Sequence, residues 1–200
     1  MNRIHHWLCS SESWKKNLER ELLPWVLDGV SLGDDVLEVG PGTGITTQIL
    51  ARRAKRLTAL EIDPTLARQA SKRTGRTNAT IVRGDASSMP FESASFSGAI
   101  SLTMLHHVPR QTLQDDLLRE VLRVLKPGGQ FAGEDSVWSA RMWLLHIGDT
   151  LNAINPQTFA DRLRAAGFTH PQVETQGRAF RFSARKPEEA ISNTAAAAGE

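Results

Sequence analysis

The run Val36-Leu37-Glu38-Val39-Gly40-Pro41-Gly42-Thr43-Gly44 restricts what this chain can fold into more than any other stretch. Val36, Leu37 and Val39 suit a strand buried on both faces. Gly40, Gly42 and Gly44 then alternate through a turn, and Thr46, Thr47 and Gln48 open a helical stretch running to about Ala54. A strand, a glycine turn and a helix start, in that order, make a cradle for a nucleotide-type cofactor. Glycines remove the Cβ atoms that hold a ligand off the backbone, and they accept positive φ. N–H groups at the helix start can face a carboxylate or a phosphate. The spacing narrows the choice. A dinucleotide fingerprint needs G-x-G-x-x-G, whereas the glycines here fall at G-x-G-x-G behind an acid, Glu38, and no G-x-x-x-x-G-K-[ST] run is present.

Further elements succeed the turn at regular distances. Arg56 to Asp63 reads as a second strand, and its terminal acid, Glu61, lies about twenty residues past the loop, where a carboxylate grips ribose hydroxyls. Asp63 is the neighbouring alternative, but with Pro64 it reads as a helix N-cap followed by proline at the first helical position. Thr80 to Ala86 carries a short apolar core that Gly84-Asp85 breaks; taken alone, Asp85 reads as an Asx-turn residue. Phe96 to Leu102 is a fourth strand, followed by Thr103-Met104-Leu105-His106-His107-Val108-Pro109. Gln111 to Leu125 places Leu113, Leu117, Leu118, Val121, Leu122, Val124 and Leu125 in a core-facing stripe of period 3.6. Lys126-Pro127-Gly128-Gly129 ends that helix, and Gln130 to Glu134 starts strand five.

Together E-x-G-x-G-x-G, the Glu61 strand end, Gly84-Asp85 and L-K-P-G-G resemble the class I S-adenosylmethionine (SAM)-dependent methyltransferases, over roughly residues 30 to 185. The L-H-H-V run and the K-P-G-G turn are similar to those of the small-molecule and quinone-type group. The resemblance implies an α/β, Rossmann-like, seven-stranded and mostly parallel sheet with an antiparallel last strand and helices on both faces. It implies SAM as cofactor and S-adenosylhomocysteine as product. Glu38, Gly40, Pro41, Gly42, Thr43 and Gly44 would underlie the methionine part, with Ser101 beneath it. Glu61 would hold the ribose with Ile62 beside it, Asp85 would accept from the adenine amino group, and Ala86 would offer backbone to the ring. His106 and His107 fall where the methyl group emerges. His106 is the candidate base, since imidazole titrates near neutrality, with a pocket-wall role as the alternative; His107 is expected to point elsewhere. One departure is Ser97, where most of the family has Asp.

Length and charge fit that reading. A chain of 200 residues suits one domain with a full core. Its 24 Lys and Arg against 22 Asp and Glu leave a net charge of +2, too small an excess to imply nucleic-acid binding. No apolar run approaches a membrane span and no signal peptide is read, so a cytoplasmic protein is expected. Cys9 is alone, which leaves no disulfide framework and no cysteine zinc site, and the adjacent His5-His6 have no accompanying ligand pattern, so no metal is expected.

Three parts are expected. Residues 1–30 form an N-terminal helical extension, with Trp7, Trp14, Leu18, Leu22 and Trp25 on one face and Pro24 as a bend; it packs on the sheet or serves as a lid. Residues 31–186 form the SAM-binding domain, and 187–200 a disordered tail. The apolar stretch from Asp135 to Ile154 either lines an acceptor pocket or packs the core.

Three functions compete. The first is a methyltransferase with a small, partly apolar acceptor. A sulfonium methyl carbon is already electrophilic, so the protein mainly aligns the nucleophile and excludes water. The second is an RNA base methyltransferase, since the VLEVGPGTG and ALEIDP runs resemble those of rRNA adenine dimethylases. Those enzymes carry N-[LIVP]-P-[YF] after strand four, where this chain has Ser101-Leu102-Thr103-Met104. The third is a non-catalytic binder that keeps only the fold.

Overall fold

A computed structural model describes residues 12–188. Its strands are β1 (Asp35–Val39), β2 (Arg56–Glu61), β3 (Ala79–Arg83), β4 (Phe96–Leu102), β5 (Leu125–Ser136), β6 (Thr169–Gln176) and β7 (Ala179–Arg185). They form one sheet in the order β3-β2-β1-β4-β5-β7-β6. β7 runs antiparallel to both β5 and β6, and the pairings from β3 through β5 are parallel. The chain steps outward from β1 to β2 and β3, then returns to the other side of β1 as β4. That reversal opens a crevice beyond the carboxyl ends of β1 and β4, the place where open α/β sheets bind ligands.

The helices are α1 (Glu12–Asn17), α2 (Leu23–Val26), α3 (Ile45–Leu50), α4 (Pro64–Thr74), α5 (Gln111–Val124), α6 (Ala140–Leu145) and α7 (Pro156–Ala165). Each face of the sheet has its own core. Leu37, Val39, Phe131, Phe180 and Phe182 pack against α5 and α7. Val36, Leu57, Ile100 and Ala132 pack against α3 and the N-terminal helices. α5 buries Leu117, Leu118, Val121 and Val124, the stripe its sequence period requires. The Asp63 carboxylate accepts from the N–H groups of Thr65 and Leu66 at 2.6 and 3.0 Å, which caps α4 ahead of Pro64.

Three expectations shift in detail. β5 takes in the Lys126–Gly129 turn as an irregularity, and its regular ladder with β4 runs from Gly98↔Gln130 to Leu102↔Glu134. Leu18–Leu22 is a π-helical turn between α1 and α2. Pro24 has no N–H for the preceding turn, and a widened turn ahead of it relieves its ring. Among the residues of this segment whose burial is described, Leu18, Leu23 and Val26 are buried, while Leu22 and Trp25 are partly covered. The Arg181 guanidinium lies 5.6 Å from the Trp25 ring and ties the segment to β7. Trp7, Cys9, His5-His6 and nearly all of the expected tail lie outside the described residues. Among the described residues no helix is long and apolar enough to cross a membrane.

Candidate active site

β1 ends at Val39, and the glycine turn carries the chain over the sheet edge into α3. Gly40, Gly42 and Gly44 have φ of 72, 56 and 82°, a region that strains any residue with a Cβ. Their surroundings differ. A Cβ on Gly40 would strike the Met104 side chain, and one on Gly44 would come within 2.9 Å of the Ala70 backbone in α4. A Cβ on Gly42 would meet nothing within 4 Å. Gly40 and Gly44 thus permit close packing, and Gly42 faces open space.

Glu38 lies behind this turn. It is 2% exposed and accepts a hydrogen bond from the Thr46 hydroxyl, which fastens the end of β1 to α3. Burial pushes its carboxyl up to about 7, against that bond. Glu61, at the end of β2, faces the open side. Its two oxygens accept from the N–H of Gly42 at 3.0 Å and of Asp63 at 2.9 Å. Burial raises its pKa, and these backbone bonds oppose the rise. Ile62, next along, is 63% exposed, an unusual surface for an isoleucine. Past β3, Asp85 accepts from the Ser87 N–H and hydroxyl, both at 2.8 Å, so it does form an Asx turn.

The other wall begins where β4 ends. Thr103 sits at φ 49°, a conformation costly for a β-branched residue. A 3-10 turn, Leu105–His107, comes next and is pinned from three sides. The Asp135 carboxylate meets His106 Nδ1 at 2.5 Å and accepts from the His106 N–H at 3.2 Å. The Gln114 amide donates to the carbonyls of Leu105 and Asn152 at 3.0 Å each. Asn152 in turn donates its backbone N–H to the His106 carbonyl and its amide to that of Val108.

Between these walls lies a cavity of about 540 Å³, within the range of small-molecule sites. One half is lined by Gly40, Pro41, Gly42, Thr43, Glu61, Ile62, Asp85 and Ala86. The other is lined by Thr103, Met104, His107, Val108, Pro109, Leu113, Leu117, Asp149 and Thr150. Of the residues singled out in the sequence, Glu38, Gly44, Ser101 and His106 stand behind this lining. Ser101 is fully buried within the sheet, and His106 is 2% exposed because Asp135 draws its ring inward. Its neighbour His107, expected to point elsewhere, lies on the wall. Asp135, Gln114, Asp149 and Asn152 carried no local motif; only the polar character of Gln114 on an otherwise apolar helix stripe hinted at a role.

Residues 37–133 match the methyltransferase domain family. The erythromycin 3''-O-methyltransferase of Saccharopolyspora erythraea is 30% identical over 170 residues, covering 74% of this chain and 54% of that protein. The demethylmenaquinone methyltransferase of Tropheryma whipplei is 35% identical over 105 residues, covering 51% of this chain and 41% of that protein. The chain therefore spans about half the length of these curated relatives. Among solved structures, the N-methyltransferase NodS of Bradyrhizobium japonicum, bound to S-adenosylhomocysteine, superposes with a TM-score of 0.69 at 21% identity, covering 91% of this chain and 92% of that one. The chain carries a class I methyltransferase domain.

The cofactor of such a methyltransferase domain is S-adenosylmethionine, and the residues present fit it. Gly42 lines the cavity, and a Cβ there would meet nothing within 4 Å, so a side chain would take up space open to a ligand. Glu61, Asp63 and Asp85 set carboxylates around the half of the cavity next to the glycine turn, and Ile62 adds exposed apolar surface beside them. That set of acceptors suits a nucleoside with a vicinal diol better than a polyphosphate, which three acids would repel.

Proposed function

We propose that this chain transfers a methyl group from S-adenosylmethionine to a small, partly apolar acceptor. The observation that carries the reading is the cavity that joins the glycine turn, Glu61 and Asp85 to an apolar half holding His107. S-adenosylmethionine supplies a sulfonium-bound, electrophilic methyl carbon. The turn from Gly40 to Thr43 would hold the methionine part, with Glu38 fixing the turn from behind. Glu61 would accept from the ribose hydroxyls. Asp85 would accept from the adenine amino group between Ile62 and Ala86.

In the other half, Met104, Val108, Leu113 and Leu117 form a dry wall that excludes water and selects apolar acceptor surface. The His107 imidazole would take the proton that a hydroxyl or protonated amine loses. His106 would position the turn rather than face the acceptor. In this reading the partner is a small molecule, and no nucleic acid is needed.

The test has two stages. Calorimetry with SAM and S-adenosylhomocysteine should show one site per chain. A panel of small hydroxyl, amine and quinol acceptors, with structured RNA alongside, should then release S-adenosylhomocysteine with a small molecule. Absence of SAM binding would overturn the reading, and release with RNA alone would move it to the RNA class.

A further inference from the structure

His146 lies far along the chain from His106 and His107, yet the fold brings the three imidazoles together. The ring centroids are 4.2 Å apart for His106 and His107, 5.0 Å for His106 and His146, and 5.2 Å for His107 and His146. One potential ligand nitrogen from each lies within 4.8 Å of the others. Two of the rings are also held in a defined tautomer. His106 Nδ1 sits 2.5 Å from an Asp135 oxygen, and His146 Nδ1 sits 2.7 Å from the Met142 carbonyl. A carboxylate and a carbonyl only accept, so each Nδ1 carries a proton, and in the neutral ring each Nε2 carries the lone pair. His106 Nε2 is fully buried and has no hydrogen-bond partner among the described residues. A buried imidazole nitrogen with a fixed lone pair and nothing to accept is costly to keep without a partner.

We propose that His106, His107 and His146 form a binding site for one divalent first-row transition-metal ion, of the zinc or cobalt kind. The geometry matches the general plan of histidine metal sites. There each ligating ring donates its other N–H to a carboxylate or carbonyl, which sets the tautomer and orients the ring. Three imidazoles and a remaining open position are the ligand set of a reactive zinc centre. Imidazole nitrogen suits zinc, copper, iron and nickel and not magnesium or calcium. Metal–nitrogen bonds of about 2.0–2.1 Å place tetrahedral ligand atoms roughly 3.4 Å apart, so the rings close by modest side-chain rotation. His107 lines the cavity, which gives the ion a route in and aims the open position at the acceptor half; a bound ion takes up the His107 lone pair, so metal binding and the base role proposed for His107 are alternative states of this ring. The Asp149 carboxylate, also on that wall, interacts electrostatically with His107 and adds negative charge beside the site.

The test is metal binding to the full chain, without SAM, after treatment with a chelator. Calorimetric titration with Zn2+ should show one tight equivalent, and Co2+ should develop the visible ligand-field bands of a tetrahedral nitrogen site. His146→Ala and His107→Ala should each weaken binding at least tenfold and abolish those bands. Asp135→Ala, which removes the support of His106 and no ligand, should weaken it by roughly 10–100-fold. A His5→Ala/His6→Ala double variant should bind as the parent does. Circular dichroism of each variant establishes that it is folded. Absence of a tight equivalent in the parent, binding indifferent to His107→Ala and His146→Ala in folded variants, or binding lost in the His5/His6 variant would each overturn the proposal. None of these outcomes bears on SAM binding, which calorimetry measures separately.

Discussion

The Glu61 carboxylate on β2 accepts a hydrogen bond of 3.0 Å from the Gly42 N–H, so the acid of the second strand and the turn after the first are already joined. Removal of this acid should weaken SAM binding in two ways: lost contact with the ribose and a loosened turn. Hydrogen bonds to a charged group contribute about 1.5–3 kcal/mol each. Glu61→Ala should therefore lower SAM affinity by at least tenfold in calorimetry. Unchanged affinity would remove Glu61 from the binding site.

Two glycines of the same turn should fail differently. Gly42→Val should fold and not bind SAM, since its side chain projects into open cavity and resists a φ of 56°. Gly44→Ala should chiefly destabilise the fold, because its Cβ would come within 2.9 Å of the Ala70 backbone. Urea midpoints and SAM titrations on both variants separate the effects. A Gly42→Val chain that binds SAM normally would contradict the cradle.

Glu38 should make folding stability depend on pH. Its folded pKa of about 7 lies above its ordinary 4.5, so the folded chain holds the proton more tightly than the unfolded chain does. Below pH 4.5 the burial of this group carries no charge penalty. The penalty grows as pH rises to about 7 and is then constant. Each pKa unit corresponds to 1.36 kcal/mol, so the full effect is about 3 kcal/mol. Glu38→Gln should gain on the parent by that order between pH 4.5 and 7 in denaturant unfolding. A difference that stays flat with pH would show that Glu38 titrates alike in the folded and unfolded chains.

The paired histidines should separate chemistry from support. His107→Ala should lower turnover by roughly 10²–10⁴-fold with an acceptor that must lose a proton. His106→Ala should lower stability by about 1.5–3 kcal/mol, since the Asp135 carboxylate would stay buried without its ring partner. The checks are turnover at saturating acceptor and the urea midpoint. A stable His106→Ala chain with lost turnover, beside an active His107→Ala chain, would reverse the assignment.

Local chemistry made much of this fold legible in the sequence. Asp63 caps α4 because the Asp-Pro pair acts over three residues, and Glu61 reaches the cavity because a strand end has one way to face. The α5 stripe arises from its own period. The paired histidines were harder. Which of two adjacent residues turns inward depends on Asp135 from β5 and on Gln114 and Asn152, partners from 8 to 46 positions away. Ser101 illustrates the same limit: its residue type suits a binding loop, but its strand lies between β1 and β5 and seals it in. The histidine triad needed two separate segments to meet, the Leu105–His107 turn and the chain at His146, and no spacing rule spans them.

The cavity wall is partitioned along the chain. Residues from Val39 to Ser87 line one half, and those from Leu102 to Thr150 line the other, with β4 as the seam. A crossover placed within β4 would therefore exchange one half as a block and leave the other intact. In the proposed reading, recombination between chains of this fold at that strand changes acceptor choice in a single step, while the donor chemistry is inherited whole.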